Sequence, residues 1–259
     1  MATATPQTRC RCSDTRFGIA RLAIAGMLLT LAGCGEFASQ QQNAEGVRLF
    51  QRGQYAEAMR DFEEATYDNP KDADGYYNIA ATYHRMGRQD RCESDLKQAE
   101  KFYNDCLDRN PNHTECYRGL AVLLAEEGRK DAAFRLLQGW VDREPTSADA
   151  KVELARLYDE HGDRQVAKNY LIEALEAKPD DARALTALGT IRYNDGDKTQ
   201  ALANYQRSLG RDSRQPEVAS RVMAMQTATV AATAAANGAA PPTVDLGTRM
   251  ADRSAPPLR

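Results

Sequence analysis

Catalytic machinery is what this sequence most plainly lacks. Its 259 residues contain three histidines, His84, His113 and His161, in three separate stretches, and no HExxH, GxSxG or Gly-rich phosphate loop. Six cysteines are too few and too scattered for a disulfide-rich miniature fold, and Cys10-Arg11-Cys12 has too short a spacer for a zinc ribbon. The longest apolar run, Leu22 to Leu31, falls well short of the about 20 residues that cross a bilayer as a helix. A strong charge of one sign is missing too. The net charge is −3; Arg9, Arg11, Arg16 and Arg21 against Asp14 give the first 33 residues +3, leaving −6 for the rest. A mildly acidic body is poorly suited to nucleic acid, whose affinity comes largely from Lys and Arg on phosphates. The chain is expected to be no enzyme and to need no cofactor, no metal and no small-molecule substrate. With 42% hydrophobic and 27% charged residues it still has the composition of a folded body.

The N-terminus has the shape of an export signal: Arg16 and Arg21, then the apolar run, then Leu31-Ala32-Gly33-Cys34. Small residues at 32 and 33 suit a peptidase cleft, and the Cys34 thiol can be alkylated. These four residues resemble the lipobox of bacterial lipoproteins. The resemblance implies cleavage before Cys34, a lipid on its sulfur and stable anchoring by several acyl chains. Gly35, where an Asp would retain the protein, implies the outer membrane, facing the periplasm. Residues 1–33 are thus expected to be a signal peptide and 34–43 a lipidated tether.

Beyond the tether the chain repeats. Glycines at 53, 87, 128, 162 and 196 are spaced by 34, 41, 34 and 34 residues. Five residues after each stands a small residue, Ala58, Cys92, Ala133, Ala167 or Ala201. Each glycine is preceded by apolar residues at helical spacing, as in Tyr76, Ile79, Ala80 and Tyr83. A glycine ends such a helix by taking the left-handed conformation without a Cβ clash. A second helix follows and stops at Asn69-Pro70, Asn110-Pro111, Glu144-Pro145 or Lys178-Pro179, since proline disfavours α geometry in the residue before it. The pattern over 39–213 resembles five tetratricopeptide repeats. That resemblance implies an all-α, right-handed superhelical solenoid over 44–229, closed by a C-terminal capping helix bearing Val218, Val222 and Met225. Residues 230–259, rich in Ala and Pro, lack the apolar content to fold and are expected to be disordered.

The second repeat is seven residues longer. Placing Gly87 at the turn predicts a second helix from about Asp90 to Arg109 that projects Lys101, Phe102 and Tyr103, either as a tolerated insertion or as a docking spur. Cys92 and Cys106 fall where the family carries alanine, which suits packing. Cys106 and Cys116 flank the Pro111 turn and are placed either to pack or to pair.

In the tetratricopeptide family the first helices line a concave, protein-binding groove. Carried onto this sequence, the lining includes Tyr77, Asn78, His84, Arg85, Arg118, Glu126, Glu153, Arg156, Tyr193 and Asn194. Tyr77 and Tyr193 would serve as anchors, Arg118 and Arg156 as carboxylate forks, and Arg85 and Glu126 would set orientation. Tyr77 and Ala81 stand where members that grip chaperone C-termini carry lysine and asparagine, which argues against that subtype. The resemblance therefore implies a lipid-tethered scaffold or assembly factor in the envelope, of the kind that helps pili and secretion pores assemble. The alternative is an adaptor holding cell-wall hydrolases or synthases near the membrane.

Overall fold

A computed structural model describes residues 32–236, with side chains from Ser39 to Thr233. Most of the signal segment and the end of the tail lie outside the described residues, and of Cys34 only the helical backbone is given. Among the described residues there are eleven helices and no strand. They run as α1 (Ala32–Gln51), α2 (Tyr55–Asp68), α3 (Ala73–Asp90), α4 (Glu93–Arg109), α5 (Thr114–Glu126) and α6 (Lys130–Arg143). Then come α7 (Ala148–Glu160), α8 (Arg164–Ala177), α9 (Ala182–Asn194), α10 (Lys198–Arg211) and α11 (Pro216–Ala236). No described helix is long and apolar enough to cross a membrane. Two compact units divide the chain between Leu154 and Ala155, within α7.

The punctuation follows local chemistry. Gly53, Gly128, Gly162 and Gly196 all adopt positive φ between 77° and 91°, the left-handed turn that closes the first helix of a pair. Asn69, Asn110, Glu144 and Lys178, each before a proline, are the C-caps of α2, α4, α6 and α8. Ala58, Ala99, Ala133, Ala167 and Ala201 are wholly buried where paired helices cross. Large side chains one turn further on fill the pairs: Phe62, Tyr103, Leu137, Leu171 and Tyr205, none more than 2% exposed.

Unit 1 shows where the seven extra residues went. The turn of the second repeat is not at Gly87. It lies at Arg91, with φ 52°, while Gly87 is buried within α3 against Leu96. The insertion is shared, so α3 has 18 residues and α4 has 17 where α2 and α5 to α10 have 13 or 14. The projecting end is therefore the α3–α4 turn, and the expected spur at Phe102 and Tyr103 does not form. Tyr103 is 2% exposed, with its ring against Gly119, where an added Cβ would lie 2.4 Å from it. Phe102 packs on the Phe62–Ile79 core and stacks on Tyr83 at 5.8 Å. The stretch 34–43 read as a tether is also helical, part of α1. It has no helix breaker after Gly35, Ser39 is fully buried, and Asn43 is held by the Asn78 amide at 3.0 Å.

In unit 2, Asp181 caps α9 by accepting from the Arg183 and Ala184 amides. Asn204, Tyr205 and Ser208 are buried on α10. The Cβ position of Gly189 lies 2.9 Å from Tyr205, so a small residue here lets the ring seat against α9. The last helix, α11, lays Val218 and Val222 on Tyr205 with Met225 beside them, closing the apolar end of the unit. It continues seven residues past Thr229, into the segment expected to be disordered.

Candidate protein-binding face

Neighbouring first helices in unit 1 are joined by a series of polar pairs, and five of the ten residues mapped to the groove belong to it: Asn78, His84, Arg118, Glu126 and Glu153. Asn78 on α3 donates to Asn43 on α1. From α4 the Tyr103 hydroxyl donates to His84 Nδ1 on α3 at 3.3 Å, and between α3 and α5 His84 Nε2 donates to Glu126 at 3.1 Å. Arg88 holds the other Glu126 oxygen at 3.0 Å. At the opposite end of the same helices, His113 Nε2 donates to Asp74 at 2.8 Å. Between α5 and α7, Arg118 Nε reaches both Glu153 oxygens at 3.0 and 3.1 Å.

This changes what those residues can offer a partner. Glu153 is 1% exposed, so it is a buried carboxylate neutralised from within the chain. The fork expected of Arg118 is made to Glu153, and that contact, chiefly its hydrogen bond, holds the guanidinium pKa above its ordinary value. Tyr77 is half-buried, stacked on His113 at 5.7 Å and tilted on Tyr103 at 6.3 Å. Burial, with Glu115 adding and Arg118 opposing, pushes its phenol pKa up. Tyr103 is pushed up further, again mainly by burial. Both stay neutral donors at ordinary pH. Arg85 remains exposed, its Nε donating to the Tyr55 hydroxyl. In unit 2, Arg156 pairs with Glu160 one turn along α7, while Tyr193 and Asn194 stand exposed at the end of α9.

The sequence mapping missed a cleft created by the long α3–α4 turn. About 510 Å³ in volume, it has Leu96 and Leu123 on its floor and Arg88, Arg91, Glu93 and Glu127 around its rim. Its signal was present: Phe62, Tyr103, Leu137 and Leu171 each stand eight residues before a proline. Counting back from Pro111 therefore buries Tyr103 and moves the insertion towards Arg91. An apolar floor inside a rim of both charge signs suits a peptide segment with one apolar anchor.

Comparison with known proteins agrees with this architecture. The profile of the TPR repeat matches residues 46–87, and that of the tetratricopeptide repeat matches 93–148 and 152–216, together more than half of the chain. The chain belongs to the tetratricopeptide-repeat family. Members of that family are protein-interaction scaffolds and are generally not catalysts. A thermophilic TPR protein from Thermus thermophilus has a similar fold, with a TM-score of 0.56 and 24% identity over 73% of this chain and 99% of that one. So does a tetratricopeptide-repeat protein from Parabacteroides merdae, with a TM-score of 0.56 and 15% identity over 73% of this chain and 71% of that one. For PilF of Pseudomonas aeruginosa the TM-score is 0.50 and the identity 14%, over 80% and 95%. Among curated proteins, the Hsp70-Hsp90 organizing protein of Triticum aestivum is 34% identical over 79 residues, 30% of this chain. The chain spans only 12% of that relative's length.

Proposed function

We propose that this tetratricopeptide protein is a lipid-anchored scaffold of the bacterial envelope. It captures a segment of a partner protein on the α3–α5 face of unit 1, in support of pilus or secretion-pore assembly. The observation that carries the binding reading is the cleft at the α3–α4 turn. It combines an apolar floor with Arg88, Arg91, Glu93 and Glu127 held at its edge, next to exposed Arg85. The anchor rests on Leu31-Ala32-Gly33-Cys34, and the outer membrane on Gly35. A chaperone C-terminus is not the proposed ligand, because Tyr77, in place of a clamp lysine, is committed to His113 and Tyr103.

Two measurements test this. Cys34→Ala removes the acylated thiol and is expected to release the protein from membranes and abolish labelling by a lipid precursor. A mutant that still pellets and labels contradicts the anchor. Partners crosslinked in intact envelopes and co-purified should be secretin or pilus components. Recovery of wall hydrolases or synthases instead assigns the chain to the adaptor alternative.

A further inference from the structure

We propose that Cys106, Cys116 and His113 form a binding site for a thiophilic divalent ion such as Zn²⁺ when the two cysteines are reduced. The same sulfurs form a disulfide when oxidised. This goes beyond protein capture and does not depend on it.

Cys106 lies in the last turn of α4 and Cys116 in the first turn of α5, with Cα atoms 6.5 Å apart and the sulfurs joined. Both are fully buried, and His113 between them is 7% exposed. One ligand atom from each of the three residues lies within 4.8 Å of the others. Opening the S–S bond lets the sulfurs separate to the spacing that two bonds of about 2.3 Å to one tetrahedral ion require.

The histidine is the informative residue. α3 and α9 are N-capped by Asp72 and Asp181, and Ser147 caps α7 through the Ala150 amide. These positions share the repeat register with His113, which caps α5 by accepting from the Cys116 amide. An oxygen cap serves elsewhere; here an imidazole occupies the position and turns Nδ1 toward the cysteines. Because Nδ1 accepts, Nε2 carries the proton and donates to Asp74 Oδ1 at 2.8 Å. A carboxylate behind a histidine fixes tautomer and ring angle and raises the basicity of the free nitrogen, as in carboxylate–histidine–zinc arrangements. Tyr77, stacked on the ring, fixes its plane. Glu115, with a carboxylate oxygen 3.6 Å from Nδ1, is in reach of the fourth position. A cleft of about 320 Å³ bordered by Asp74, Tyr77, Glu115 and His113 lies on the His113 side of the site.

The chemistry balances. A dithiol reductant delivers two electrons and two protons to the S–S bond, giving two thiols and its own disulfide. Zn²⁺ then displaces both thiol protons to form two Zn–S bonds, and Nδ1 exchanges the Cys116 N–H for the metal. Oxidation by a disulfide of the surroundings reverses this and expels the ion, so ion and disulfide exclude one another.

The test uses the full chain with Cys10→Ser, Cys12→Ser, Cys34→Ser and Cys92→Ala, leaving Cys106 and Cys116 as its only thiols. Phosphine-reduced protein titrated anaerobically with Co²⁺ should bind one equivalent, with thiolate-to-cobalt charge-transfer and tetrahedral ligand-field bands that Zn²⁺ abolishes. The oxidised protein should bind none. Cys106→Ala should abolish the charge-transfer pair and stay folded, since alanine stands at the equivalent Ala65 and Ala174. His113→Asn keeps an N-capping oxygen and should weaken binding by more than tenfold, and Asp74→Ala by about tenfold. No Co²⁺ bands on reduction, equal binding by both redox forms, or unchanged affinity in Cys106→Ala or His113→Asn overturns the site.

Discussion

Truncating Arg118 removes a two-pronged partner from a buried carboxylate. Glu153 is 1% exposed and receives both Nε and Nη2 of the Arg118 guanidinium, whose side chain is 37% exposed. Removing one member of a buried pair costs about 3–5 kcal/mol when both charges are inside. Here the arginine is partly solvated and water can enter the space it leaves, so Arg118→Ala is expected to cost about 2–3 kcal/mol. Replacing both charges, as Arg118→Met with Glu153→Leu, should recover much of that loss, because the buried carboxylate is removed together with the guanidinium that solvates it. Urea unfolding followed by circular dichroism gives the totals. Since the chain divides into two units, hydrogen exchange of α5 and the start of α7 should localise the loss to unit 1. A cost below about 0.5 kcal/mol for Arg118→Ala, or a double variant no better than the single one, refutes the reading of Glu153 as a carboxylate dependent on Arg118.

Glycine substitutions should split by what a Cβ meets. Gly119→Ala drives a methyl into the buried Tyr103 ring and should destabilise by about 1–3 kcal/mol, whereas Gly210→Ala meets nothing within 4 Å and should stabilise by up to about 1 kcal/mol in thermal melts. Asp181→Ala removes two amide acceptors from the start of α9 and should cost about 1–2 kcal/mol, while Asp181→Asn keeps the cap and should lose less. Burial alone would raise the Asp181 pKa, but the Ala184 amide, Lys178 and Arg183 outweigh it and the folded value lies below the ordinary one. A depressed folded pKa adds stability above the unfolded value near about 4, lost as pH falls through the folded value. Acid titrations of the wild type and Asp181→Asn should therefore converge below that window and diverge above it.

Much of the fold was legible because each repeat repeats its punctuation. Left-handed turn glycines, prolines after the second helix and alanines at crossings are local requirements, and four of the five glycines mark turns. Gly87 misled because the insertion moved the turn to Arg91, a residue that takes positive φ without being glycine. The register counted from Pro111 carried the correct placement of Tyr103. The groove residues were harder. Side chains facing the inner wall look alike in sequence whether they await a partner or hold a neighbouring helix. Arg118 and Glu153 are 35 residues apart and meet only when α5 and α7 are side by side. The same holds for His84 with Glu126 and for Asp74 with His113. The α3–α4 cleft depends on two helices outgrowing their neighbours, which the glycine spacing hid and the count back from Pro111 carried.

Capture at the α3–α4 cleft is tested most directly by a photo-crosslinking residue placed at Arg88 or Arg91 in the full-length protein in intact envelopes, with Met223 on the exposed side of α11 as the control position. A discrete crosslinked partner is expected from the cleft positions and none from Met223. Charge reversal at the rim, Arg88→Glu with Glu93→Lys, should weaken recovery by about 1–3 kcal/mol of binding energy while the circular dichroism spectrum stays unchanged. Crosslinks to the same partner from Met223 alone, or undiminished capture by the folded rim variant, contradict the assignment of the α3–α5 face as the binding site.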